Sequence, residues 1–211
     1  MRAAIFTVAL CLTTASGCSS GPDPIAFKNR TFYESFGQLT AAQMQEIEQP
    51  YPPLDLASGA HYPYLGVQVL GSTVRISRPQ DWIVRSASLE PQKRFIEYVS
   101  PREITFAVYE RVESPLDPWR VLMSRYEDDV KKSGGLLLAG GVPATTWNAQ
   151  ARAYDVQRSV PAPKSPFVNV SREYLVRSEH RVVVVQIVHQ GQSLESADEE
   201  MSRVIETLQV L

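Results

Sequence analysis

The sequence holds few side chains whose types and spacing suit catalysis. Its histidines are His61, His180 and His189, and no two of them stand at the short spacing of a metal-ligand pair. No serine lies in the Gly-x-Ser-x-Gly pattern that presents a hydrolase nucleophile. The pairs Gly134-Gly135 and Gly140-Gly141 lack the lysine and threonine of a phosphate-binding loop, so we interpret them as turns. We therefore expect no enzyme, no bound metal and no cofactor.

Two clusters of acidic side chains are candidates for acid–base chemistry. Asp128 and Asp129 fall on the solvent side of a predicted helix. The run Asp198-Glu199-Glu200 lies at the N-terminus of another predicted helix, where carboxylates favour the helix dipole. We interpret both clusters as structural.

The residue with the clearest chemistry is Cys18. Arg2 is followed by an apolar run over residues 3–12, which suits an export signal but is shorter than the roughly 20 residues that span a bilayer. Small residues at 15–17 then lead to Cys18. Because Cys11 lies within this signal, the mature chain keeps one cysteine, so neither a disulfide nor a cysteine-bound metal is expected.

This segment resembles the lipobox of bacterial lipoproteins, in which the cysteine thiol receives a diacylglycerol and the chain is cut before it. The resemblance implies a signal peptide over residues 1–17 and a lipid anchor on Cys18 that holds the chain to a bilayer. Because Ser19 rather than aspartate follows the cysteine, the periplasmic face of the outer membrane is favoured over the inner membrane. The alternative is an ordinary secretory signal, cut after Ala15 or Gly17, with Cys18 a free thiol.

The charge balance argues against a nucleic-acid partner. The chain has 21 basic and 23 acidic side chains and a net charge of −2 at pH 7, and loss of Arg2 with the signal makes it one unit more negative. No later apolar run approaches the length of a membrane span. Attachment to the bilayer is therefore predicted to depend on the lipid.

Residues 18–64 are predicted to form the lipidated cysteine and a proline-rich tether, because proline and glycine resist regular structure. Residues 40–43 match a helix capping box, and Met44 and Ile47 follow at helical spacing. A loose linker is the favoured interpretation, and the alternative is a peptide that docks on the domain or on a partner. The aromatic residues that would assist docking are Phe27, Phe32, Tyr33 and Phe36.

The folded domain is predicted over residues 65–211 and begins with strands. Residues 67–69 and 74–76 alternate around Gly71-Ser72, which suits a hairpin with a two-residue turn. Further strands are predicted over residues 83–84, 94–99 and 104–112. The segment 104–112 is apolar on both faces, which indicates a strand in the middle of a covered sheet.

An amphipathic helix is predicted next. Asp117 is the expected N-cap, with Pro118 at the first helical position. Lys131 and Lys132 suit the C-terminal end, and Gly134 suits the helix stop. The apolar side chains at helical spacing are Trp119, Leu122, Met123, Tyr126 and Val130.

Strands then resume before a second helix. They are predicted over residues 136–138, 144–147, 151–160, 168–177 and 181–189, with residues 140–143 as a turn. The last two are expected to pair across residues 178–180, and the β-branched run 182–185 indicates a strand buried on both faces. A capping box at residues 196–199 begins the closing helix. The apolar face of that helix is predicted to hold Met201, Val204, Ile205 and Leu208.

This order predicts an α+β fold with helices packed on the faces of an antiparallel sheet. Residues 65–211 resemble the PsbP/Mog1-like fold in the hairpin, the turn Pro79-Gln80-Asp81-Trp82, the long helix after a strand ending at Val112, the meander and the short closing helix. The resemblance implies an α/β/α sandwich without catalytic residues. It also implies an accessory or assembly role, because members of the fold mostly serve as non-enzymatic subunits.

Candidate partner-binding residues follow the first predicted helix. Among the three tryptophans, Trp147 is the best candidate for an exposed anchor, although burial in the core is favoured over binding. The other two tryptophans are expected in the core. Arg152, Tyr154 and Arg158 share one strand face, which we interpret as a solvated sheet edge or a site for an acidic partner.

Two functional hypotheses result. The first is a membrane-anchored, non-catalytic lipoprotein that binds or scaffolds another protein in a cell-envelope assembly, such as a secretion, motility or outer-membrane complex. The alternative is an envelope carrier of a small ligand or lipid, with its pocket between sheet and helix. An enzyme is the least favoured class.

Overall fold

The computed structural model describes residues 45–51, 64–102, 104–158, 169–189 and 201–211. Several predictions lie outside these residues: the signal peptide, Cys18, most of the tether with Phe27, Phe32, Tyr33 and Phe36, His61, the capping box at 196–199 and the acidic run at 198–200. Among the described residues, no helix has both the length and the apolar character needed to cross a membrane.

The described elements form two antiparallel sheets and three helical segments, of which the shortest is residues 45–47. In chain order they are β1 (Glu48–Pro50), β2 (Tyr64–Val69), β3 (Val74–Pro79), β4 (Ile83–Glu90), β5 (Lys93–Val99), β6 (Thr105–Arg111), α1 (Trp119–Lys132), β7 (Leu136–Thr145), β8 (Gln150–Arg158), β9 (Asn169–Arg177), β10 (Val182–His189), α2 (residues 201–206) and β11 (Gln209–Val210). The larger sheet has the order β4-β5-β6-β10-β9-β8-β7, and the smaller has the order β1-β2-β3-β11.

The larger sheet carries an apolar core on each face. Strand β10 shows the division, because Val183 and Val185 belong to the core shared with the smaller sheet and α2, whereas Val182 and Val184 pack beneath α1. This double burial accounts for the unbroken β-branched run in the sequence. The predicted α+β class, an antiparallel sheet with helices on its faces, is confirmed, and the smaller sheet adds a second β-layer beside α2.

An aromatic cluster lies in the core between the two sheets. Trp82 follows the predicted turn, where its backbone N–H donates to the carbonyl oxygen of Pro79 over 3.3 Å. Its ring centroid lies 5.5 Å from that of Phe106 and 6.4 Å from that of Tyr98, in the tilted arrangement that aromatic pairs prefer. All three rings are buried, so the prediction that Trp82 belongs to the core is confirmed.

Helix α1 follows the predicted pattern except at its first residues. Leu122, Tyr126 and Val130 are buried, and Gly134 ends the helix with a left-handed φ of 78°. The predicted aspartate cap is wrong, because Pro118 occupies the N-cap position and no side chain caps the helix. The Asp117 carboxylate instead accepts a hydrogen bond from Arg125 of the same helix.

The first hairpin does not have the predicted two-residue turn. Val69 pairs with Val74, and the four residues between them include three with left-handed backbone, Leu70, Gly71 and Ser72. The backbone N–H groups of Leu70 and Gly71 donate to carbonyl oxygens within residues 46–47, over 3.1 and 2.7 Å. Contacts with a segment distant in sequence therefore stabilise this loop, and local turn preferences do not decide its form.

Residues 140–143 form part of a strand rather than the predicted turn. Strand β7 runs unbroken along the sheet edge, with register irregularities on both sides of Ala139 and Gly140. A Cβ on Gly140 would overlap the ring of Tyr154, so a glycine is needed where the two strands approach closely. The glycines mark bulges, and Pro143 is tolerated because β7 is an edge strand.

Part of the predicted tether belongs to the fold. Residues 45–47 are helical, Ile47 is buried in the core between the sheets, and β1 pairs with β2. The Tyr51 backbone N–H also donates to the Gly66 carbonyl oxygen over 2.8 Å. The sequence favoured a loose linker through residue 64, whereas the structure packs residues 45–51 onto the domain, as in the docked-peptide alternative.

Candidate functional site

The face of β8 that carries three predicted site residues lies against α1. Tyr154 is only 2% exposed, and its ring centroid lies 4.6 Å from that of Tyr126. The interpretation of β8 as a solvated edge is wrong, because β7 pairs beside it and forms the edge of the sheet. The Tyr154 ring is therefore a packing residue in the core beneath α1.

Arg158, on the same strand face, belongs to a buried polar cluster. Its guanidinium donates to both carboxylate oxygens of Glu173 over 2.7 to 2.9 Å. The Glu173 carboxylate also accepts hydrogen bonds from Tyr126 Oη (2.8 Å), Ser171 Oγ (2.7 Å) and Gln186 Nε2 (2.9 Å). Every charge in this cluster is thus compensated, which burial of an ionised group requires.

A cleft of about 510 Å³ opens beside this cluster, between the C-terminal half of α1 and the sheet. Its volume falls within the range of small-molecule sites. Tyr109 lines it, and burial, together with the nearby carboxylates of Glu97 and Glu173, raises the Tyr109 pKa to about 12. The Arg111 guanidinium on its wall bonds the carboxylates of Glu113 and Asp129. The cleft therefore has a protonated phenol and paired charges, which suit reversible binding better than proton transfer.

A second concavity, of about 630 Å³, holds the most exposed tryptophan; we call it the Trp147 groove, lined by residues 115–116, 146–150 and 177–179. Trp147 is 60% exposed, and Leu116 on the opposite loop is 87% exposed. The Trp147 backbone N–H donates to the Leu208 carbonyl oxygen over 3.2 Å, and the Asn148 side chain makes two hydrogen bonds to the Val210 backbone. The loop is thus fixed to the C-terminal segment while its large apolar side chains face solvent.

Two arginines flank the Trp119 ring beside this groove. The guanidinium carbons of Arg152 and Arg177 lie 4.7 and 4.5 Å from the ring centroid. Trp119 Nε1 donates to Gln150 Oε1 over 3.0 Å, and Arg177 Nη1 donates to the Asp117 carbonyl oxygen over 3.0 Å. Within the described part of the chain, neither arginine bonds a carboxylate.

The structure separates the predicted partner-binding residues into two places. Trp147 lies in the groove and Arg152 beside it, whereas Tyr154 and Arg158 belong to the core and to the Glu173 cluster. Sequence reasoning missed Leu116 and Arg177, whose positions depend on how two loops and a strand end meet. It also missed Glu173, because an acidic residue alternating with apolar ones in a strand is usually a surface residue. His180 is exposed at the β9–β10 turn, and His189 ends β10, so the structure does not bring these two together.

Comparison with known proteins identifies the fold. No protein-family model matches the chain, and no curated protein sequence matches it. The solution structure of the cyanobacterial PsbP of Synechocystis sp. PCC 6803 is similar, with a TM-score of 0.53 and 8% identity, and the match covers 76% of this chain and 99% of that chain. The Ran-binding protein Mog1p of Saccharomyces cerevisiae matches with a TM-score of 0.46 and 15% identity, over 71% of this chain and 96% of that chain. The LpqN protein of Mycobacterium tuberculosis, described as involved in cell envelope biogenesis, matches with a TM-score of 0.36 and 14% identity, over 82% of this chain and 97% of that chain.

The likeness to the cyanobacterial PsbP establishes a class by fold alone. The chain has the α+β fold of the PsbP/Mog1-like class, as the sequence predicted. At such low identity, a shared fold hosts unrelated functions, so the likeness assigns no function to this chain.

Proposed function

We propose that this chain is a lipid-anchored, non-catalytic protein of the cell envelope that binds another protein through the Trp147 groove. The observation that carries the proposal is the pair of large, exposed apolar side chains, Trp147 and Leu116, that line one concave surface. Apolar and aromatic side chains on a rigid loop are typical of the energetic centre of a protein interface.

The pairing of charges beneath α1 supports a non-catalytic role. Glu173 and Arg158 are held by one another and by neutral donors, and Arg111 is held by two carboxylates. Each of these charged groups has its counterion as a direct partner, which favours a structural role for the cluster. The Trp147 groove has the apolar area that protein recognition uses.

The anchor is tested with the full chain in cells. Cys18→Ser should leave the signal uncut and shift the product to a larger size, and it should move the protein from the detergent phase to the aqueous phase. Globomycin, which blocks the lipoprotein signal peptidase, should also leave the larger species. A product of unchanged size and unchanged detergent partitioning under both treatments would show that the protein is not lipid-anchored.

Partner binding is tested by affinity capture of the full chain from its membranes after mild crosslinking. The wild-type chain should recover a specific protein, and Trp147→Ser combined with Leu116→Ser should lose it. Leu138→Ser is the matched control, because Leu138 is an exposed apolar residue on the edge strand β7, outside the groove. Recovery that is the same for all three chains would rule out the groove as the binding surface.

The second candidate function is an envelope carrier of a small ligand, which the cleft between α1 and the sheet favours. Native mass spectrometry of the full chain released gently from membranes should then show an adduct of defined mass. Ser133→Trp, at the rim of the cleft, should remove the adduct while the Trp147 variants keep it. A wild-type chain without an adduct would count against the carrier.

A further inference from the structure

We infer that the partner segment bound in the Trp147 groove is acidic and carries at least one apolar side chain. This inference rests on the proposed protein-binding function and specifies its partner. Two features carry it. The first is the pair of guanidinium groups of Arg177 in the groove and Arg152 beside it, which bond no carboxylate among the described residues, and the second is the apolar walls formed by Leu116 and Trp147.

The two guanidinium groups differ from most others in the described part of the chain. Eight arginines there make ion pairs with carboxylates: Arg78, Arg85, Arg94, Arg111, Arg125, Arg158, Arg172 and Arg181. Among the described residues, Arg152 and Arg177 bond only neutral partners, namely the Trp119 ring, backbone carbonyl oxygens and the Gln150 amide. Both guanidinium groups are therefore free to accept a carboxylate as a partner.

The arrangement is pre-organised for a carboxylate. Stacking on Trp119 holds both guanidinium planes in place, so little side-chain entropy is lost when they bind an anion. Both arginines are half-buried, so solvent screens their charge less than that of a fully exposed side chain. Glu179 lines the groove from the exposed β9–β10 turn with one negative charge, and two guanidinium charges lie in and beside the groove. Electrostatic complementarity therefore favours an acidic partner.

The shape of the groove favours a protein segment over a lipid surface. Leu116 and Trp147 stand on separate loops and form two walls of a concavity of about 630 Å³. A concavity of this kind accepts a projecting side chain, whereas a bilayer surface is broad and flat. One apolar side chain of the partner would lie between the walls, with a neighbouring carboxylate directed to Arg177.

The test places a photo-crosslinker in the groove of the full chain in its own membrane. Leu116→p-benzoylphenylalanine keeps an apolar aromatic group at the wall and leaves Trp147 and both arginines in place. After illumination, mass spectrometry identifies the crosslinked segment. We expect a protein segment in which carboxylates outnumber basic side chains and an apolar residue carries the crosslink.

Three variants in that background separate charge from packing. Arg152→Gln with Arg177→Gln should lower the crosslink yield about tenfold, the effect of losing one charge-assisted hydrogen bond. Arg152→Lys with Arg177→Lys keeps the charge but loses the planar groups stacked on Trp119, so its yield should fall between those of the unmutated arginines and the glutamine variant. Arg102→Gln is the control, because Arg102 is exposed in the β5–β6 turn, at the opposite end of the larger sheet.

The outcomes distinguish the inference from the function on which it rests. A specific protein segment that is neutral or basic, or a yield unchanged by the glutamine variants, would overturn the acidic partner and leave protein binding intact. Crosslinks to lipid alone would replace the protein partner with a membrane surface and overturn both. The absence of any specific protein crosslink would likewise overturn both.

Discussion

Two buried ion-pair networks lie on opposite sides of the larger sheet, and they differ in which charge is the more deeply buried. Beneath α1 the carboxylate is the buried partner, with the Glu173 side chain 1% exposed and that of Arg158 27% exposed. On the other side the guanidinium is the more buried partner, with the Arg78 side chain 8% exposed and that of Glu48 22% exposed. The two networks therefore depend on opposite members of their pairs.

The second network is closed by the N-terminal segment. The Glu48 carboxylate accepts hydrogen bonds from Arg78 Nε (3.1 Å) and Nη2 (2.7 Å), and it accepts another from the Tyr98 hydroxyl. Arg78 Nη1 also donates to the carbonyl oxygens of Pro79 and Trp82 over 3.0 and 2.9 Å. A segment that the sequence assigns to the tether thus supplies the countercharge of an arginine in the domain.

The cost of breaking each network therefore depends on which charged partner remains. A buried charge left without its counterion is expensive, because the protein interior solvates it poorly. A charged partner near the surface can turn toward water, so leaving that partner without its counterion costs less free energy. We therefore expect the arginine to be the critical residue of the network beneath α1 and the glutamate to be the critical residue of the other.

The largest effect is expected from Arg158→Met. It leaves the Glu173 carboxylate buried with neutral donors alone and should lower the free energy of unfolding by about 3–5 kcal/mol. Urea denaturation of the full chain in detergent measures this free energy. Glu173→Gln should cost less, and the double variant Arg158→Met with Glu173→Leu should recover part of the lost stability. Equal costs for Arg158→Met and Glu173→Gln would contradict the asymmetry.

A slightly smaller effect is expected from Glu48→Leu, about 2–3 kcal/mol. Arg78 then loses its carboxylate but keeps two carbonyl acceptors, and Tyr98 loses its acceptor. The same urea titration checks the value, and Glu46→Leu serves as control because the Glu46 side chain is more exposed in its ion pair with Arg94. If Glu48→Leu costs no more than this control, residues 45–51 do not stabilise the domain as described.

Alkaline pH should weaken the fold on both sides of the sheet. Tyr109 keeps its proton in the folded protein up to its raised pKa of about 12, whereas an ordinary tyrosine loses it near 10. The folded state then binds more protons than the unfolded state, so the free energy of unfolding falls by about 2 kcal/mol as pH rises from 10 to 12. Burial and Glu48 also raise the pKa of Tyr98. Tyr109→Phe should therefore reduce the slope of stability against pH without abolishing it, which a phenolate absorbance titration and urea titrations at several pH values would show.

The smallest effect on stability is expected from Trp147→Ser. Because this side chain is largely exposed, the free energy of unfolding should change by no more than about 0.5 kcal/mol. The same variant should nevertheless abolish partner capture. A stability loss comparable to that of Glu48→Leu would indicate that Trp147 packs within the fold rather than serving a partner.

Local periodicity was sufficient to predict the buried residues where a single helix or strand buries a continuous stripe or face. The 3.6-residue spacing of Leu122, Tyr126 and Val130 predicted the buried side of α1, and the β-branched run of β10 predicted burial on both faces. Local periodicity could not decide whether a glycine pair forms a turn or a bulge within a strand, because both use the same residue types. Only the pairing of β7 with β8 distinguishes the two for residues 140–143.

The candidate site was predicted only in part, because local residue types mark some of its residues and distant contacts determine the others. Trp147 drew attention as an aromatic residue between polar neighbours near a strand end, and Arg152 as a charge alternating on a strand face. Nothing local distinguishes Arg177 from the arginines that have carboxylate partners, since an ion pair depends on which strands and loops come together. Glu48 was overlooked because a proline-rich segment does not reveal where it docks.

By itself, the sequence determined the α+β class and the stripe that α1 buries, because each follows from residue type and short-range spacing. Tertiary structure alone decided which face of β8 is covered, which arginines have carboxylate partners and where residues 45–51 pack. These properties arise from contacts between residues far apart in the chain, and local spacing carries no information about such contacts.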